Sequence, residues 1–269
     1  MRQQLTAGPR AARAPAASPG RRRELGFALA CGAVLAGWNN TVRLGRWYAP
    51  VNAGAAGAAV AAALASGLTP ADLGLSPASL RSGLRLGGRL AAPVLAGYLT
   101  AALVPAARPV LGDERAAGLT GRQAAYQALI RIPVGTVLWE ETAFRGVLQA
   151  ALGRVLPQTA AIAATSAVFG IWHVRPTAEG LRVNQLAAGR GQRAAAVTAG
   201  VAATAAGGVV LSLARARSGS LAAPILVHLA TNCTGVLAAW AVRRRQGPLR
   251  PAGSTPARAG ARLRSAVPR

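Results

Sequence analysis

The apolar positions of this chain come in runs near 20 residues long, separated by short polar stretches that carry arginine. A run of that length is what an α-helix needs to cross the hydrocarbon core of a bilayer. The pattern predicts seven membrane helices, at about 25–42, 48–67, 90–106, 125–150, 158–174, 194–214 and 220–241. Gly and Ala recur throughout, which suits close helix–helix packing in lipid. The stretch 69–89, TPADLGLSPASLRSGLRLGGR, holds Pro, Gly and three arginines and reads as an amphipathic cytoplasmic connection; 107–123 and 175–193 are further arginine-bearing loops. The expected fold class is all-α, a polytopic transmembrane helix bundle. Basic residues at both ends ask for an even number of crossings. With seven segments, one is split or re-entrant, or one arginine-bearing loop lies on the far side.

Charge sharpens this reading. The chain has 269 residues, 52% of them hydrophobic, and carries 31 basic, seven acidic and two His side chains for a formal charge of +24. Such a balance fits either a nucleic-acid binder or a membrane protein. Placement decides between them. Arginines crowd the first 23 residues and the last 27, while the apolar runs lie between. A DNA-binding domain has no use for repeated runs of membrane length, so no nucleic-acid partner is expected; the partner is the lipid bilayer. Lys is absent, and Ala, Arg and Gly dominate, which suggests a high-GC bacterial genome and hence a bacterial plasma membrane, with both tails cytoplasmic. The first apolar segment lacks a clear small-residue cleavage site and reads as a retained helix. Cys31 and Cys233 both lie in apolar runs and imply no disulfide framework or Cys metal site.

Ionisable side chains deep in apolar segments are costly unless paired or facing a water-filled cavity. The sequence keeps few. Glu140, Glu141 and Arg145 lie in VLWEETAFRGVL, with Arg131 upstream; His173 ends SAVFGIWH; His228 and Asn232 lie in HLATN. Neighbouring helical residues point about 100° apart, so the two glutamates are expected to serve separate tasks. Glu141 and Arg145 are four apart in the favourable order for an ion pair. That leaves Glu140 without a local partner, a candidate general base. Phe169 and His173 share a face, as do His228 and Asn232, and Gly170 allows a close helix approach. Together the three helices can deliver a base, two switchable donor/acceptors and a fixed amide, the parts needed to hydrolyse an amide bond. Plainer readings exist for each: a structural Glu–Arg tie, a solvated His, a packing Phe, an interhelical His–Asn hydrogen bond, and an Arg131 that snorkels or pairs within the bundle. Concentration of these residues in three helices, with no His elsewhere, favours a site.

Glu-Glu-x-x-x-Arg, Phe-x-x-x-His and His-x-x-x-Asn, in that order on successive helices, resemble the CPBP family. These are the CAAX-processing and bacteriocin-processing (Abi) intramembrane proteases, which include the type II CAAX prenyl endopeptidases. The resemblance covers about residues 90–241. It implies a bundle of up to eight helices with its active site inside the membrane. Composition and charge mark 1–23 and 242–269 as disordered basic tails; the resemblance assigns 90–241 to a protease core and 24–89, with its amphipathic loop, to variable N-terminal helices. It further implies that Glu140 activates a water with help from His173, and that His228 and Asn232 stabilise the oxyanion. Glu141, Arg145 and Phe169 would support them.

The family is often called metalloprotease, and Glu140, His173 and His228 could supply the three ligands of an open zinc site. No HExxH motif is present and Asn232 is a poor zinc ligand, so a glutamate-dependent mechanism without a metal cofactor is the preferred expectation. The expected substrate is a peptide or membrane-anchored protein. Two rivals explain the same residues: a non-catalytic immunity or scaffold protein that keeps them for packing, and a small-solute transporter, which would show an internal repeat that the sequence does not display.

Overall fold

The computed structural model describes residues 19–187 and 189–246. They form an all-α bundle with no strand among them. Its main helices are α1 (Pro19–Thr41), α2 (Tyr48–Ala65), α3 (Pro77–Leu103), α4 (121–153), α5 (Gln158–Trp172), α6 (Val174–Val183), α7 (Arg190–Ser218) and α8 (Ala222–Gln246). The two basic tails lie outside the described residues except at their inner ends. There 19–23 are helical within α1 and 242–246 within α8.

Four segments are long and apolar enough to cross a membrane: Gly45–Ala65, Pro77–Leu103, Arg190–Ser218 and Ala222–Arg245. Only 11–33% of each apolar window is buried inside the bundle. In water such exposure would leave most of the apolar surface unsatisfied, so the surrounding solvent is lipid and the chain is an integral membrane protein. The other helices expected to span do not meet that standard by themselves. α5 has 15 residues, and α4 carries the charged motif.

The three loops of the sequence reading are largely helical, 107–123 through short turns of helix at Pro105–Leu111 and Glu114–Ala117. α3 begins at Pro77, thirteen residues before the expected helix at 90. The reason is tertiary. A Cβ at Gly87 would come within 2.9 Å of the Ala223 backbone, so only glycine lets this half of α3 lie flat against α8. Ser82 Oγ adds a 2.6 Å hydrogen bond to the carbonyl of Ser218. In 175–193 the first nine residues belong to α6.

α4 is the central helix. It opens on a capping box in which Thr120 Oγ1 accepts from Gln123 N and Gln123 Oε1 accepts from Thr120 N. It is then wound in the wider π geometry over Gln127–Leu138 and Glu141–Leu148, on either side of Trp139 and Glu140. Pro133, which has no N–H to offer a regular α-turn, lies in the first wide stretch. π turns are rare and concentrate at functional sites. Every residue from Trp139 through Gln149 is buried. α2 and α8 pack on the first half of α4, and α1 packs on α5.

Candidate active site

Both glutamates point into the bundle, Glu140 being 3% exposed and Glu141 0%. Oε1 of Glu141 accepts from Arg145 Nη1 at 3.1 Å and from His228 Nδ1 at 2.7 Å. Arg145, itself buried, donates from Nη2 to the carbonyl of Gly208 on α7 at 3.3 Å. Its guanidinium also lies 4.1 Å from the ring centre of Phe169 on α5. One ion pair therefore ties α4, α5, α7 and α8. The expected Glu141–Arg145 bridge is present, and it anchors His228 as well.

With Nδ1–H given to Glu141, Nε2 of His228 accepts from Asn232 Nδ2 at 3.0 Å. The same Nε2 stands 3.9 Å from Oε2 of Glu140. The two glutamates thus meet at one imidazole, although their helical positions diverge. They face different nitrogens of that ring, Glu141 at Nδ1 and Glu140 at Nε2.

Glu140 is not without a partner, as local spacing had implied. Trp172 Nε1 on α5 donates to its Oε1 at 3.0 Å. Its other oxygen, Oε2, is buried and takes no hydrogen bond from the described residues. Trp172 is in turn wedged by rings, at 5.4 Å from Phe144 and 6.3 Å from Trp139. The sequence reading passed over Trp172; the available signal was a buried indole N–H, which requires an acceptor.

His173 sits at the corner between α5 and α6. Nδ1–H donates to the carbonyl of Phe169 at 2.8 Å, so Nε2 carries the ring's lone pair. Phe169 joins it to the rest of the group, 4.6 Å from the His173 ring and 6.4 Å from that of His228. The corner is held from α1. Asn39 Nδ2 donates to the carbonyl of Trp172 at 3.3 Å and Asn40 Nδ2 to that of Ile171 at 2.9 Å, while Asn40 Oδ1 accepts from Arg175 N at 3.0 Å. These asparagines satisfy backbone groups left over where one helix ends and the next begins. They too were missed, since nothing in NNT at the end of an apolar run points to a helix 130 residues away. Gly170 does admit a close neighbour, as expected: a Cβ there would lie 2.9 Å from the Val201 carbonyl oxygen of α7.

A cavity of about 740 Å³ opens beside this group, lined among others by His173, Asn232, Arg131, Gln127 and Thr231. Its size suits a peptide segment. The zinc reading fits the side chains poorly. Both ring nitrogens of His228 are engaged, and no three His, Cys, Asp or Glu side chains among the described residues are grouped to hold an ion.

The arrangement is that of a helix bundle in lipid with an acid, an imidazole and an amide in one group, and with a second imidazole, His173, joined to it through the Phe169 ring and the shared cavity wall. Residues 122–234 match the family model described as type II CAAX prenyl endopeptidase Rce1-like, a span that contains all three motifs. The resemblance read from those motifs is thus borne out over this span, and the match supports a CAAX-type intramembrane protease in general. No curated protein and no solved structure matches the chain.

Proposed function

We propose that the protein is an intramembrane endopeptidase in which Glu140 activates a water molecule to attack a peptide carbonyl. The observation that carries this reading is the buried Oε2 of Glu140. Trp172 fixes one oxygen of the carboxylate and leaves the other free beside His228 and the group that borders the cavity. Oε2 takes a proton from the water, and the hydroxide forms the new C–O bond. The Nε2 lone pair of His173 accepts the water's second hydrogen and orients it. Charge then develops on the carbonyl oxygen. Asn232 has a second amide hydrogen for that oxyanion, and His228 holds the amide in place. His228 acts on the oxyanion through that amide, its Nδ1–H held by Glu141 and its Nε2 accepting from Asn232 Nδ2. Glu140 finally passes its proton to the leaving amine as the C–N bond breaks. Fixed donors inside a low-dielectric site lower such a barrier strongly, and loss of one costs about 10²–10³ in rate.

The substrate is a peptide or a membrane-anchored protein, and the enzyme sits in a bacterial plasma membrane with its arginine-rich ends on the cytoplasmic side. The test compares membrane-proximal and secreted peptide N-termini, by mass spectrometry, between cells making wild type and Glu140→Gln at equal levels. Specific termini that vanish in the variant support the protease. Identical termini, with a deletion phenotype still rescued by the variant, sink it in favour of a scaffold or immunity role.

A further inference from the structure

Arg131 lines the same cavity as His173 and Asn232, and the proposed hydrolysis gives it no task. Its guanidinium carbon lies 4.2 Å from the ring centre of Tyr48, and Nη1 donates to Gln127 Oε1 at 3.3 Å. Neither partner is an acid. The cavity's other cation, Arg115, is held by Asp113 through three hydrogen bonds of 2.6–3.1 Å. Arg145, Arg154, Arg175 and Arg243 each face a carboxylate. Among the described residues Arg131 forms no ion pair.

An arginine on an apolar helix of a membrane protein is expensive to keep unless it lines a polar cavity, and residues of this kind mark substrate paths. This one is also held still. Tyr48 is itself held by a 3.2 Å hydrogen bond between its hydroxyl and Thr136 Oγ1, so the guanidinium rests on a fixed ring before any ligand arrives. Such preorganisation lowers the entropy lost on binding. The planar fork of an arginine matches the two oxygens of a carboxylate.

We propose that Arg131 is a specificity-determining residue that binds a carboxylate of the peptide being cleaved. Two sources share that chemistry, a peptide's C-terminal carboxylate and an Asp or Glu side chain. The inference rests on the peptidase reading of the neighbouring group, because it places the anion in the cavity where the scissile bond would lie.

The test uses the purified full-length protein in detergent and four synthetic pools of random ten-residue peptides. The pools end in a free acid or a carboxamide, and either include or omit Asp and Glu. Wild type is expected to cleave pools containing a carboxylate about tenfold or more faster than the amidated pool without acidic residues, the order expected for one desolvated ion pair. Whichever carboxylate-bearing pool keeps the advantage identifies the source. Arg131→Gln should erase the preference while cleaving the carboxylate-free pool at the wild-type rate, and Arg131→Lys should keep part of it. That retained rate also shows that the variant is folded. Equal cleavage of all four pools by wild type, as a lipid phosphate resident on Arg131 would produce, overturns the inference and leaves the protease intact. A preference that survives in Arg131→Gln overturns it equally. Failure of wild type to cleave any pool overturns both readings together.

Discussion

Trp172 reaches from the last turn of α5 to give its indole hydrogen to Glu140, 32 residues earlier in the chain, across 3.0 Å. The contact divides the carboxylate into one occupied oxygen and one free oxygen. It also fixes the side chain's direction without a salt bridge, since Glu141 already holds the arginine. Position in the site is thus set by a neutral donor, which restrains the acid without neutralising it.

Trp172→Phe tests that restraint. The smaller ring keeps aromatic contact with Phe144 and Trp139 and loses only the donor and part of the volume. Hydrogen bonds to charged groups contribute about 1.5–3 kcal/mol, so kcat should fall by about 10- to 100-fold. KM should stay close to that of wild type. Separate measurement of kcat and KM on a cleaved peptide checks this; an equal loss in binding would assign Trp172 to the substrate instead.

The Glu141–Arg145 pair should behave as structure. Removing one partner of a buried pair leaves an uncompensated charge and costs about 3–5 kcal/mol. Arg145→Met should therefore lower the unfolding temperature sharply in detergent and reduce the yield of folded protein. Glu140→Gln should unfold near the wild-type temperature, because its carboxylate makes one hydrogen bond and no ion pair within 3.5 Å. Thermal unfolding of the two variants side by side distinguishes the neighbours.

Asn40 should act on activity from a distance. It satisfies Ile171 O and Arg175 N on either side of His173. By analogy with lost helix caps, Asn40→Ala should destabilise by about 0.5–2 kcal/mol and lower kcat through the displaced imidazole. Asn40→Asp keeps the acceptor and loses the donor, so its activity should fall between the two. An Asn40→Ala enzyme with full kcat would show that the corner holds without the clamp.

Acid stability should depend on Asp72, in the turn between α2 and α3. Its carboxylate accepts the Thr69 backbone N–H at 2.8 Å and the Thr69 hydroxyl at 2.9 Å, with Arg154 at 3.4 Å. These bonds, the backbone one foremost, hold its pKa below the ordinary 3.8. The folded state therefore binds the proton less readily than the unfolded one. The stabilisation is complete above the ordinary value and is lost as pH falls through the lowered one. Unfolding midpoints measured from pH 6 down to about pH 3 should decline less steeply in Asp72→Asn than in wild type.

The sequence by itself determined the class. Apolar runs of membrane length, with most of the charge in the tails and in the short stretches between the runs, leave few stable solutions besides a helical bundle in lipid, because every backbone polar group there must be satisfied within its own helix. It also marked Glu140, Glu141, Arg145, Phe169, His173, His228 and Asn232, since an ionisable or amide group stands out where nearly every neighbour is apolar. Spacing fixed the Glu141–Arg145 and His228–Asn232 contacts, which depend only on one helical turn. Everything that joins different helices was decided by the tertiary structure. His228 bridging the two glutamates, Trp172 on Glu140, and Asn39 and Asn40 around His173 span 32 to 135 residues. Such contacts depend on how the helices pack and rotate against one another, and no local periodicity encodes that. The helical start of α3 was hidden for the same reason. Ser, Gly and Arg read as loop until the flat face of α8 gives Gly83 and Gly87 something to lie against.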